Sequence, residues 1–140
     1  MQSFYYISPT ISLPFPGNWQ DVDVSAYVPV GATGVLLHVV IPGGFGCNAG
    51  FRKNGSTDNR TNTIQDILAH RWVYVGIDAN RIFESFQIAP IGFALYLVGY
   101  TTSGVTFFTN ATEITTALDE AWHDVDLSVL CPGATGIIIE

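Results

Sequence analysis

The feature that most constrains this sequence is a repeat near its two ends. The segment Trp-Gln-Asp-Val-Asp-Val-Ser at 19–25 recurs as Trp-His-Asp-Val-Asp-Leu-Ser at 122–128, which is 103 residues later (position 122 against position 19). A period of this length exceeds the roughly 20–50 residues of solenoid repeats and suits a whole domain. We therefore expect one domain of one period at 1–112 and the beginning of a second at 113–140.

The likeness continues beyond the tryptophan segments. Pro-Val-Gly-Ala-Thr-Gly at 29–34 corresponds to the shorter Pro-Gly-Ala-Thr-Gly at 132–136, and both lead into branched apolar runs. The run 137–139 is predicted to be the first half of a core strand, which needs a partner strand. The repeat therefore predicts either a longer chain or a strand that is donated to a neighbouring subunit along an open sheet edge. The predicted assembly residues are Trp19, Trp122, Ile137, Ile138 and Ile139.

The spacing of apolar side chains is that of β-strands. Val22 and Val24 alternate with the polar residues Asp21, Asp23 and Ser25, so the two valines share one face. Further β-branched or aromatic runs lie at 35–41, 72–77, 82–88, 93–100 and 105–108. The run 93–100 is apolar on both faces, which predicts a central strand. We predict an all-β fold, an antiparallel two-sheet sandwich that is jelly-roll-like, with an immunoglobulin-like sandwich as the alternative.

Two loop segments and one turn complete the fold prediction. The segment 113–121 has helical composition, but its repeat equivalent 10–18 contains Pro14 and Pro16, so we predict loops for both. The Asn54-Gly55 pair predicts a hairpin turn with a positive φ at both residues.

Composition excludes some partners and favours others. Five Lys and Arg residues stand against twelve Asp and Glu, giving a formal charge of −7, so nucleic acid is not an expected partner. Only 12% of the residues are charged while 48% are apolar, which predicts surfaces that other copies of the chain cover. No apolar run reaches the roughly 18 residues of a membrane helix, and no signal peptide is visible.

Motifs for catalysis and cofactor binding do not stand out. His38, His70 and His123 lack zinc-protease spacing, and neither a nucleophile elbow nor a phosphate-binding loop is present. We therefore expect a non-enzymatic chain without a cofactor. Glu84, within an apolar strand, is expected to face outward or to pair with Arg81. The paired carboxylates are weak calcium candidates and are better explained as a solvated strand face: Asp21, Asp23, Asp124 and Asp126.

A polar tip and one tryptophan are the candidates for contact with an outside ligand. The segment 52–60 is predicted to be an exposed loop, and Trp72 has the flat ring that sugars stack on. The candidate ligand-binding residues are Trp72, Arg52, Lys53, Asn54 and Arg60. Asn54, Asn59 and Asn110 fit the glycosylation pattern, which matters only in a glycosylating compartment. Cys47 and Cys131 could form a disulfide or stay free.

Three short motifs carry a resemblance. Asp-Val-Asp-Leu-Ser at 124–128, Pro-Gly-Ala-Thr-Gly at 132–136 and Arg-Lys-Asn-Gly-Ser at 52–56 together resemble modules of phage-type virion proteins, tail fibres and microbial surface proteins. In such proteins β-sandwiches follow one another in series, and the resemblance implies a structural or adhesive role on a virion or cell surface. Our first hypothesis is a subunit of a fibre, filament or virion decoration that binds copies of itself. The alternative is an adhesin module that binds a surface glycan.

Overall fold

The structure is a computed structural model of the chain, and it describes residues 4–6, 10–11, 17–41, 47–64, 69–88, 93–117 and 119–139. These residues contain nine β-strands and no helix, and none of them forms a helix that could cross a membrane. The strands are β1 (Phe4–Tyr6), β2 (Thr10–Ile11), β3 (Gln20–Asp23), β4 (Gly34–Val40), β5 (Cys47–Lys53), β6 (Asn62–Ile64), β7 (His70–Gly76), β8 (Ile82–Ile88) and β9 (Ala94–Thr101).

The strands form two sheets in which every pair is antiparallel. The first sheet has the order β1-β9-β4-β7, with β2 also paired to β9, and the second has the order β3-β8-β5-β6. Along the chain, each pair of strands encloses the next one. The pair β5/β6 is innermost, and the pairs β4/β7, β3/β8 and β1/β9 enclose it in turn. The chain is therefore one long antiparallel ribbon that is wrapped into two layers, which is the jelly-roll topology. The predicted all-β jelly-roll sandwich is confirmed.

The core lies between the two sheets. Val22 and Val24 are buried while Asp21 and Asp23 are exposed, as the alternation predicts. β9 lies between β1 and β4, which confirms its predicted central position. The largest apolar side chains that are fully buried are Phe83, Leu37, Leu95, Leu97, Val24, Val35 and Val39. These residues come from both sheets, so their burial holds the two layers together.

The chain after β9 crosses one end of the sandwich. The ring of Phe107 lies directly over Gly34 of β4 and Gly76 of β7, where only glycine leaves room for it. Lys53 Nζ donates a hydrogen bond to the carbonyl of Phe107 at 3.1 Å. The predicted strand at 105–108 is wrong, because these residues pack across the ends of the strands instead of pairing alongside one.

The turn after β5 differs from its prediction. Gly55 has a φ of 80°, but Asn54 is not among the residues with a positive φ. Ser56 N–H donates to Lys53 O at 3.1 Å, which closes a four-residue turn. β6 begins only at Asn62. The predicted hairpin turn is therefore wrong, since a longer loop joins the two strands.

The two predicted loop segments have different outcomes. Thr10 and Ile11 form β2 on the edge of β9, so the loop prediction is wrong there. Pro14 and Pro16 lie outside the described residues. At 113–117 and 119–121 the chain is irregular, which confirms the loop prediction despite the helical composition.

Candidate functional site

The segment 113–139, called the tail below, reproduces the first turn of the repeat. Ser25 N–H donates to Asp23 Oδ1 at 2.7 Å, and in the tail Ser128 N–H donates to Asp126 Oδ1 at 2.9 Å. Short acidic side chains cap chain reversals in this way. Hydrogen bonds from the serine side chain and backbone hold the pKa of Asp23 below its usual value, and the backbone N–H of Ser128 does the same for Asp126.

The helical turn that follows is also shared by the two copies. Val28 N–H donates to Val24 O at 3.1 Å, and Cys131 N–H donates to Leu127 O at 2.8 Å. The four residues occupy equivalent positions of the repeat. The tail therefore forms the same backbone hydrogen bond at this turn as the first copy, without a strand beside it.

A left-handed glycine ends the turn in both copies. Gly31 has a φ of 89° and Gly133 has a φ of 72°, a region that residues with side chains rarely enter. The next residue in each copy, Ala32 or Ala134, donates its N–H to the carbonyl three residues earlier. The deletion in the second copy is thus placed before the glycine, and the run 137–139 aligns with the first half of β4.

The apolar side chains that the first copy buries are partly or largely exposed in the tail. Val22 and Val35 are 5% and 0% exposed, whereas their equivalents Val125 and Ile137 are 45% and 47% exposed. No strand occurs in the described part of the tail. β4 is held by β7 on one side and β9 on the other, and the tail has neither partner. The run 137–139 therefore forms no strand here, although it reads as the start of one.

The two repeat tryptophans have different surroundings. Trp19 covers the outer face of the second sheet, where its Nε1–H donates to Asn59 Oδ1 at 2.9 Å. The Arg52 guanidinium lies 4.1 Å from the ring centroid, a cation–π contact. A side chain at Gly50 would collide with the same ring. Trp122 in the tail is fully exposed, whereas Trp19 is half-buried.

Arg52 has an internal partner rather than an open binding surface. It opposes Glu84 in the β5/β8 register, and its guanidinium makes two hydrogen bonds to that carboxylate, at 2.8 and 3.1 Å. Of the two positions predicted for Glu84, the outward-facing one is found, because Glu84 alternates along β8 with the buried residues Phe83 and Ser85. It does not pair with Arg81, which donates to the carbonyls of Ser25 and Val28.

The other tip candidates are also engaged within the domain. Lys53 donates to the Phe107 carbonyl, and Asn54 donates to Asp78 Oδ2 at 2.8 Å. Arg60 lies 3.3 Å from the Asp58 carboxylate and is half exposed. These contacts hold the segment 52–60 against the rest of the domain. Trp72 lies on β7 in the first sheet, while Arg52 and Lys53 belong to the second, so the candidates are divided between the two sheets.

Asp78 caps the turn before β8. Its Oδ1 accepts hydrogen bonds from the N–H groups of Asn80 and Ile82, both at 2.9 Å. Burial acts to raise the pKa of Asp78, but the N–H of Ile82 and the amide of Asn54 outweigh it and lower the pKa below its usual value.

The side chains that could bind a metal ion, and the two thiols, are dispersed among the described residues. Across the described residues no three His, Cys, Asp or Glu side chains come close enough to share a metal ion. The calcium candidates Asp21 and Asp23 lie on the exposed face of β3. Cys47 and Cys131 are not bonded to each other. Burial raises the pKa of the Cys47 thiol.

Trp72 is 60% exposed on the outer face of the first sheet, and two histidines are its neighbours. The His38 ring lies parallel to the Trp72 ring with 4.6 Å between centroids, and the His70 centroid lies 6.4 Å away. In the sequence the two histidines are 32 residues apart. Only the β4/β7 register, which no local pattern reveals, brings them beside the tryptophan.

Comparison of the chain with protein families, with curated proteins and with solved structures finds no match in any of the three.

Proposed function

We propose that this chain is a non-enzymatic structural building block that joins to further copies of itself through its tail, in a virion or extracellular assembly. The supporting observation is the contrast between the two copies of the repeat. The tail has the turn geometry of the β3–β4 connection, yet the side chains that this geometry buries in the first copy are partly or largely exposed.

The free energy available to such a contact is considerable. Full burial of one Val, Leu or Ile side chain contributes about 1.5–3 kcal/mol, and the tail carries several such residues at positions that are core in the first copy. The turn is already formed, so less conformational entropy is lost when the tail binds. A preformed apolar segment of this kind is suited to association.

The contact is expected to be strand addition. In an intact copy β3 and β4 already fill the positions that the tail resembles, so the tail has to pair with another edge. Within the described part of the chain, β3 and β6 end the second sheet. An added strand gains main-chain hydrogen bonds along such an edge and buries alternate side chains.

The test compares two aspartate substitutions in the tail of the full chain. Leu127 is equivalent to Val24, which is fully buried, whereas Val129 is equivalent to Ala26, which is exposed. Light scattering should find assemblies for the unmodified chain and for Val129→Asp. For Leu127→Asp it should find the 15.2 kDa monomer, because a charge would enter the contact only at that position.

Urea unfolding of both variants is the control. Neither substitution should shift the midpoint of the monomeric sandwich, since the tail's side chains lie outside its core. Monomers in all three proteins would rule out assembly through the tail. Unfolding of the sandwich by Leu127→Asp would show instead that the tail belongs to its own core.

A further inference from the structure

Three aromatic side chains stand in one row across the outer face of the first sheet. Tyr96 on β9, His38 on β4 and Trp72 on β7 occupy directly opposed register positions. The His38 ring is parallel to Trp72 within 5° and lies 5.8 Å from the Tyr96 ring. Paired strands lie about 4.8 Å apart, so rings on the same face stack across them. The sheet itself therefore holds the row in place before any ligand binds.

The row ends at Trp72, whose side chain is 60% exposed. No strand among the described residues lies beyond β7 in this sheet, so the side of the Trp72 ring away from His38 has no strand packed against it. Tyr74, two residues along β7 on the same face, is 45% exposed. An indole ring offers a flat apolar surface, and leaving it in water is unfavourable.

A histidine pair adds hydrogen-bonding groups beside this ring. His38 Nε2 and His70 Nδ1 are 2.8 Å apart, so one of them donates to the other. In a neutral pair each imidazole carries one N–H. Whichever nitrogen bears the bridging hydrogen, the two remaining nitrogens present one donor and one acceptor. A sugar hydroxyl both donates and accepts, so the pair is complementary to neighbouring hydroxyl groups in either tautomer.

We propose that this surface binds an uncharged pyranose. One C–H face of the sugar packs on Trp72, and its hydroxyls exchange hydrogen bonds with His70 and His38. The proposal is independent of assembly through the tail, because it rests on the first sheet alone. It favours a sugar over a second copy of the chain because an apolar protein surface would bury the donor and acceptor of the histidine pair without partners.

The test titrates the full chain with methyl glycosides of glucose, galactose, mannose and N-acetylglucosamine, followed by amide chemical shifts in NMR spectra. At least one glycoside should give saturable shifts at His38, Trp72 and Tyr74, with a dissociation constant on the order of 1 mM, as suits a small ligand on an open surface. Trp72→Ala should weaken this binding about tenfold or more. Trp72→Phe keeps a ring and should retain part of the affinity, which covers the case that the alanine variant does not fold.

The matched control is Trp122→Ala, which removes the fully exposed tryptophan of the tail. It should leave sugar binding unchanged. The proposal is overturned if no glycoside gives saturable shifts up to about 50 mM, or if the two alanine variants weaken binding equally. It is also overturned if the sugars fail to bind and Trp72→Ala reduces the mass in light scattering, because the row would then be a contact between copies.

Discussion

The contact of Phe107 with Gly34 determines how the chain beyond β9 is held to the sandwich. A methyl group added to Gly34 would lie 2.2 Å from a ring carbon of Phe107, and its three nearest atoms all belong to that ring. Such a distance is far inside van der Waals contact. β4 is fixed by strands on both sides, so the ring has to move and not the strand. Gly34→Ala should therefore displace Phe107.

The loss of unfolding free energy in Gly34→Ala is limited by what burial of the Phe107 ring contributes. Full burial of a Phe side chain is worth about 1.5–3 kcal/mol, and Phe107 is half-buried, so Phe107→Ala should cost about 1–2 kcal/mol. Gly34→Ala loses the same packing, but alanine is better than glycine within a strand by roughly 0.5–1 kcal/mol. The net loss should be about 1 kcal/mol in the unmodified chain. With Phe107 already removed, Gly34→Ala should instead stabilise.

Urea unfolding of the two single variants and the double variant measures the coupling, which should be about 1–2 kcal/mol. The control is Gly136→Ala, because Gly136 is the repeat equivalent of Gly34 and has no atom within 4 Å of an added Cβ. That change should shift the free energy of unfolding by less than about 0.5 kcal/mol. Additive effects of Gly34→Ala and Phe107→Ala would refute the reasoning, because the two side chains would then not compete for one space.

Two further predictions concern charged groups. Arg52→Met should lower the free energy of unfolding by about 2 kcal/mol, because Glu84 is left mostly buried without its partner. Arg60→Met, which removes an exposed pair with Asp58, should cost less than about 0.5 kcal/mol; equal losses in urea unfolding would contradict this. The lowered pKa of Asp78 gives stability that is present above the ordinary carboxyl pKa and lost as the pH falls through the lowered one. Asp78→Asn should therefore narrow the stability difference between about pH 7 and about pH 3, and an unchanged difference would disprove the link.

The strands that could be predicted are those whose residues favour strands on their own. Alternating valines identified β3, and β-branched or aromatic runs identified β4, β7, β8 and β9. β5 was missed because its sequence, Cys-Asn-Ala-Gly-Phe-Arg-Lys, lacks β-branched residues. Its Gly50 is required by the Trp19 ring that lies against it, and that requirement comes from tertiary packing. The run 105–108 has strand-forming residues but is not a strand, because the Phe107 ring packs over Gly34 and Gly76 and the segment pairs with no strand.

The two candidate binding surfaces, the tail and the aromatic row, also differ in how far the sequence predicts them. The repeat alone could indicate that the tail carries core residues, because position-by-position likeness to β3 and β4 survives in the sequence. The row of Tyr96, His38 and Trp72 could not be predicted, since it depends on which residues of three separate strands stand opposite one another. The register of these strands is set by the hydrophobic pattern and the turns of the whole sandwich, and not by the sequence around any one of the three residues.

The two copies of the repeat distinguish structure that depends on local sequence from structure that depends on neighbouring strands. Both copies form the same acid-capped turn and the same left-handed glycine, so these features need no surrounding sheet. The first copy continues into β4 because β7 and β9 pair with it, whereas 137–139 without such partners does not become a strand. In the proposed assembly, strand formation in the tail is the same event as binding, and its free energy depends on the concentration of the partner. An assembly built in this way should dissociate on dilution while each sandwich stays folded.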